Sequence, residues 1–108
     1  MMRKNGMIWL EMISIRTAGI IEAGKVFEIC SQMFQSIADE KLLKLTMFSN
    51  ARYATDISIH LQWKSDSGSG SILGREISSA LGDLGLISHT LWIEQEELNT
   101  GHLGNELE

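Results

Sequence analysis

Residues 53–64 carry the strongest pattern in the chain. Tyr53, Thr55, Ile57, Ile59, Leu61 and Trp63 fall on one side of an extended strand, and Ala54, Asp56, Ser58, His60, Gln62 and Lys64 fall on the other. Successive side chains of a strand point to opposite faces, so this period of two predicts a strand half-buried in a sheet. A first strand is expected over 8–16. There Trp9, Ile13 and Ile15 share a face with Glu11, while Leu10 and Met12 share the other with Ser14. Apolar residues on both faces mark an interior strand covered on both sides.

The period then changes. After a connection over 17–24, with Gly24 as the expected helix entry, Val26, Phe27, Ile29, Cys30, Met33, Phe34 and Ile37 recur at spacings of three and four. Such a stripe predicts a helix over 25–38. A second strand follows over 42–49, and a turn within 50–54 joins it to the third as a β-hairpin. The run S-D-S-G-S-G-S over 65–71 predicts a flexible loop whose serines can cap a helix. Leu73, Ile77, Ala80, Leu81 and Leu84 then form the buried stripe of a second helix over 72–84, with Gly85 as its stop. Gly74 and Gly82 weaken that helix by up to ~1 kcal/mol each relative to alanine. A fourth strand over 88–96 places Leu91 and Ile93 opposite Trp92.

The order β-α-β-β-α-β predicts an α+β, ferredoxin-like sandwich, a four-stranded antiparallel sheet with two helices on one face. Residues 1–98 make one domain, and residues 99–108, polar and glycine-containing, a flexible C-terminal tail. Two helices cover only one face. Leu43, Leu45, Met47, Ile57, Ile59 and Leu61 are the set expected to meet them. The opposite face then carries Leu10, Met12, Leu42, Phe48 and Trp92, beside Ser14, Thr46, Ser58, His60 and Gln62. Burying each such large apolar side chain is worth about 1.5–3 kcal/mol, and an apolar patch of this kind usually marks an interface. A face-to-face homodimer through the open sheet face is therefore expected.

Composition narrows the function classes. Of 108 residues, nine are basic and scattered, and the net charge is −5, with much of the excess in Glu94, Glu96, Glu97, Glu106 and Glu108. No basic stripe exists to neutralise a phosphate backbone, so nucleic acid is not an expected partner. No apolar run reaches the roughly 20 residues needed to span a bilayer, so no membrane association is expected. The opening M-M-R-K-N-G-M-I-W-L places two basic residues before an apolar patch that Glu11 interrupts, which suits a strand better than a signal peptide. The single cysteine, Cys30, forms no internal disulfide, and a reducing cytoplasmic setting fits it.

Candidate chemistry is sparse. His60, His89 and His102 have no ligand spacing among themselves or with Cys30, so no metal site is expected. His60 fits a hydrogen-bonded interface histidine better than a catalytic one, and Cys30, on the buried stripe, fits core packing better than a nucleophile. Glu11 stands out, because it points where Trp9, Ile13 and Ile15 point. A carboxylate in apolar surroundings must be paired or must shift its titration, and such groups cluster at functional sites. Glu11 is thus the catalytic candidate, a general base or an anchor for a substrate hydroxyl. The plainer alternatives are a salt bridge to Arg16, Arg52 or Arg75, or exposure at a sheet end. Trp63 and Tyr53, on one face of the third strand, are the candidates for ligand contact, although they stand too far apart to hold one small ligand together. Trp63 suits the edge of a core better than a pocket.

The element order, Gly24-Lys25 at the first helix, L-Q-W-K over 61–64, the serine loop, and a second helix leading to T-L-W-I-E over 90–94 together resemble the antibiotic-biosynthesis monooxygenase family. The resemblance spans roughly 8–97. It departs from the family pattern at 38–41, which lacks the Pro-Gly pair common there. It also lacks a histidine in the second helix to complete the Asn–Trp–His set of the haem-degrading branch. The resemblance implies a dimeric α+β barrel. It further implies a cofactor-independent monooxygenase acting on a small quinol or polyketide-like aromatic compound, with Trp63 shaping the pocket and Glu11 accepting a proton. No cofactor is expected, since in that family the substrate itself reduces oxygen. Fold alone also permits a non-catalytic dimeric module that binds a ligand or a protein.

Overall fold

The computed structural model describes residues 7–37, 39–64 and 71–99. The chain runs β1 (Ile8–Thr17), α1 (Ile20–Gln35), β2 (Leu42–Ser49), β3 (Asp56–Lys64), α2 (Ile72–Ala80) and β4 (Gly85–Ile93). The strands form one sheet in the order β2-β3-β1-β4, with every neighbouring pair antiparallel. This is the ferredoxin-like β-α-β-β-α-β arrangement that the patterns predict.

Strand parity holds for the two central strands. Glu11, Ile13 and Ile15 of β1 and Ile57, Ile59 and Leu61 of β3 are buried, and they meet Ala23, Val26 and Cys30 of α1 and Ile77 and Leu81 from α2 and its exit. The register pairs Ile13 with Ile59 and Ile15 with Ile57, so the core layers stack across the β1–β3 ladder.

Four elements depart from their expected bounds by more than a residue. α1 begins at Ile20, with Gly19 at its N-cap, and ends at Gln35. Its first-turn residues Ile20 and Ile21 are exposed, so the apolar stripe starts a turn later than the helix does. β3 begins at Asp56, three residues after Tyr53. The side chain of Asn50 accepts the backbone N–H of Arg52 at 2.8 Å and of Tyr53 at 2.9 Å, and that turn withholds Tyr53 from the ladder. α2 ends at Ala80, although Leu81, in the turn that follows, is fully buried, so the apolar stripe outlasts the helix. Gly85 opens β4 opposite Thr17, where a β-carbon would collide with the Arg16 carbonyl, and β4 ends at Ile93 instead of continuing to 96.

A fifth difference lies inside β2. A register shift between Leu42 and Lys44 bulges the strand. Leu42 consequently packs against the core, and Leu43, expected to face the helices, is exposed. The open face otherwise carries the expected set. Leu10 lies across from Trp92 and Gln62, Met12 across from His60, and Phe48 across from Ser58, with Leu86 added at the β4 end. Trp92, Phe48 and Leu86 are exposed there. The serine loop over 65–70, the first helix's expected last residue Ala38, and the tail from 100 onward, with His102, lie outside the described residues. No helix among the described residues is long and apolar enough to cross a membrane.

Candidate functional site

The site is built around Glu11, on β1, one of the two interior strands of the sheet. Its neighbours across the ladders are Leu61 and Leu91. The strand's alternation points its side chain toward the helices, and α2 closes over it. Gly74, in the first turn of α2, permits that approach: a β-carbon there would collide with the Glu11 carboxylate. Glu11 is 0% exposed.

Four donors converge on this carboxylate. Trp63 Nε1 donates to Oε1 at 3.0 Å, and the Ser71 hydroxyl donates to the same oxygen at 2.6 Å. The Ser71 backbone N–H reaches Oε2 at 3.3 Å, and His89 Nε2 lies 2.6 Å from Oε2. An ionised carboxylate offers about four lone-pair sites, so these contacts can satisfy it in full. At 2.6 Å one proton is held between Oε2 and Nε2, on the imidazole when the carboxylate accepts and on Oε2 when the ring accepts. Ser71 is also the N-cap of α2. Its hydroxyl oxygen accepts the Gly74 N–H at 2.7 Å, so one side chain both caps the helix and ties it to Glu11.

Beside this cluster lies a cavity of about 240 Å³. Trp9, Trp63, Ile72, Leu73 and Leu91 give it a largely aromatic and aliphatic lining, and Glu11 and Ser71 supply polar groups in its wall, with Asp39 and Lys41 also on the lining. Trp9 faces Trp63 across the β1–β3 ladder. The Trp9 indole Nε1 is buried and finds no hydrogen-bond partner among the described residues. A larger depression of about 370 Å³ lies on the open sheet face, lined by serines and by the Arg16–Asp56 ion pair. It has no buried ionisable group comparable to Glu11, so the smaller cavity is the better chemical candidate.

Two of the three expected site residues therefore come together. Glu11 and Trp63 are directly hydrogen-bonded. Tyr53 is exposed in the turn before β3, beside Arg16, Thr17 and Asp56, at the opposite end of the sheet. None of the arginines weighed as partners reaches Glu11, and Arg16 pairs with Asp56 at 3.3 Å instead. Sequence reasoning missed His89 and Ser71. His89 shares the parity of Leu91 and Ile93 on β4, and that parity was a usable sign that it points toward the helices.

Elsewhere, Cys30 is a free thiol in the core, its pKa pushed up to about 11 by burial. His60 sits on the open face, 2.8 Å from Ser58 Oγ and with its ring tilted against Phe48 at a centroid distance of 4.8 Å. Burial lowers its pKa from the usual 6.5. Among the described residues no group of three or more His, Cys, Asp or Glu is arranged to hold a metal ion.

No protein-family model matches the sequence, and no curated protein is detectably similar to it. Solved structures do share its fold. SnoaB, a cofactor-independent oxygenase from Streptomyces nogalater, superposes in a mutant form with a TM-score of 0.62 at 14% identity, over 84% of this chain and 96% of its own. The monooxygenase ActVA-Orf6 of Streptomyces coelicolor, in complex with nanaomycin D, gives 0.62 at 13% identity, over 84% and 90%. An antibiotic-biosynthesis-monooxygenase-like protein from Nitrosomonas europaea gives 0.66 at 8% identity, over 91% and 100%. The chain thus has the fold of the antibiotic-biosynthesis-monooxygenase-like structures, as its sequence resemblance implies.

Proposed function

We propose that this protein is a small cofactor-independent monooxygenase that acts, as a homodimer, on a small aromatic compound of the quinol or polyketide type. The observation that carries the reading is an ionisable group fully enclosed in the wall of a largely apolar cavity, held by four hydrogen-bond donors of which Trp63 Nε1 is one. A carboxylate so placed can take up the proton of an acidic aromatic hydroxyl through the Ser71 hydroxyl bonded to it, because the acceptor is fixed before the substrate arrives. The fold shared with a cofactor-independent oxygenase and with a monooxygenase supports the same class.

The chemistry balances without a further reductant. A phenolic substrate that loses its hydroxyl proton becomes electron-rich enough to reduce dioxygen and form a carbon–oxygen bond. Cleavage of the oxygen–oxygen bond then leaves one oxygen atom on the product and releases the other as water, with two substrate hydrogens. All four electrons come from the substrate. The cavity of about 240 Å³ is the volume of roughly eight waters, which suits a one- or two-ring compound.

Dimerisation through the open sheet face would bury Trp92, Phe48 and Leu86, which otherwise stand in water. A reducing, cytoplasmic setting suits the single unpaired Cys30. The test is oxygen uptake with 1,4-naphthohydroquinone in the absence of added flavin or metal, with isotopically labelled dioxygen. Incorporation of one labelled atom into the product is expected, and Glu11→Gln should slow it by roughly 10²- to 10⁴-fold. No enzyme-dependent uptake, or full activity in Glu11→Gln, would overturn the reading. Sedimentation at micromolar concentration should show a species of twice the 12.1 kDa chain mass.

A further inference from the structure

The hydrogen bonds around Glu11 have a direction. Ser71 lines the cavity, Glu11 forms part of its wall, and His89 is not on the lining at all. His89 reaches Oε2 from β4, one of the sheet's two outer strands, with 27% of its side chain exposed to solvent while that of Glu11 is 0% exposed. The links are short, 2.6 Å from the Ser71 hydroxyl to Oε1 and 2.6 Å from Oε2 to His89 Nε2, within the range of charge-assisted hydrogen bonds.

Resting on the oxygenase reading, the geometry points to a proton path that runs from the cavity through Ser71 and Glu11 to His89 and out to solvent. His89 is then a positioning and proton-exit residue, acting through Glu11 and not on the substrate. A carboxylate without access to water needs such an outlet, since once protonated it cannot accept a second proton until the first has left. The Ser71 hydroxyl has one hydrogen, given to Glu11, and two lone pairs, one of which takes the Gly74 N–H. The remaining lone pair can accept a substrate O–H. With the proton of the Oε2–Nε2 contact on Oε2 and the ring's other proton on Nδ1, the serine proton passes to Oε1 as the substrate proton arrives on Ser71, the Oε2 proton passes to Nε2, and Nδ1 releases its own proton to solvent. The path also runs in reverse, returning the proton that leaves with water when the oxygen–oxygen bond breaks. No covalent bond to the protein forms, and protons balance across the cycle.

A purely structural role for His89 would clamp β4 to α2 through Glu11, and the test separates the two. His89→Gln keeps an N–H donor for Oε2 but cannot relay a proton. It is expected to lower kcat for 1,4-naphthohydroquinone by roughly ten- to a hundredfold with KM unchanged, and to flatten the dependence of kcat on pH between about 5 and 9. In His89→Ala, added imidazole should restore turnover, because the vacated position opens to solvent. The same imidazole should not rescue Glu11→Gln. Ser71→Ala should lower kcat, and Ser71→Thr, which keeps the hydroxyl, should recover it. Wild-type kcat and pH profile in a folded His89→Gln protein, or a folded His89→Ala protein that imidazole leaves inactive, would overturn the path while leaving the oxygenase reading intact. Absence of turnover by the wild-type chain would overturn both.

Discussion

Gly74 and Glu11 occupy one another's space so closely that no other residue fits at position 74. A β-carbon there would lie 2.5 Å from the Glu11 carboxyl carbon. The cost of a helix glycine is thus tied to the approach of α2 to the carboxylate, and with it to the Ser71 and Trp63 hydrogen bonds. Gly74→Ala is expected to destabilise the fold by about 1–3 kcal/mol, as overpacking of a filled interior usually does. Chemical denaturation should show a lower midpoint with an unchanged slope, and the Trp63 fluorescence should shift as its hydrogen bond to Glu11 loosens.

Gly24 predicts the opposite sign. It lies in the interior of α1 and is exposed, and a β-carbon there would meet nothing within 4 Å. Replacing it by alanine removes chain entropy from the unfolded state and adds helix propensity. Gly24→Ala should stabilise by up to about 1 kcal/mol, visible as a Tm raised by several degrees in a chain of this size.

His60 makes the open face sensitive to acid. Its pKa in the folded protein is lowered by burial, so the folded state favours the neutral ring. The stability it contributes is present above the usual value of about 6.5 and is lost as pH falls through its lower folded value. Met12 and Thr46 flank it across the ladders, and Ser58 and Phe48 contact it, so no carboxylate among these neighbours offsets the charge. A second copy packed on this face would deepen the effect. Thermal melts below pH 6 should show a loss of stability that is smaller in His60→Gln, and sedimentation over the same range should show dissociation first in the wild type.

Cys30 should be silent toward thiol reagents. Only the thiolate reacts, and burial holds the thiol near a pKa of about 11 within the core cluster. A colorimetric disulfide reagent is expected to label the native protein only at the rate of unfolding. Rapid stoichiometric labelling at neutral pH would show that α1 detaches from the sheet far more readily than its packing implies.

What the sequence disclosed follows from how far each determinant lies along the chain. Parity on β1 and β3 was legible because each residue's face depends only on its immediate neighbours. That parity aimed Glu11 at the helices and put Trp63 on its side. The β2 boundaries were legible for the same reason. The exposed first turn of α1 was not, since Ile20 and Ile21 carry the apolar character that normally marks burial. Nor was the Asn50 turn, in which one side chain outcompetes a continuing alternation for two backbone donors. The pairing of Glu11 with His89 joins residues 78 positions apart, and only the sheet order β3-β1-β4 brings them together.

The irregularity between Leu42 and Lys44 bears on how the protein behaves in a crowd. It falls on a rim of the sheet, where unpaired amides could template strand after strand from other molecules. A bulged, twisted margin carrying a lysine makes a poor template, so lateral growth into fibres is discouraged. The rim is thereby disfavoured for strand pairing, and the second copy proposed above would meet the broad apolar surface instead.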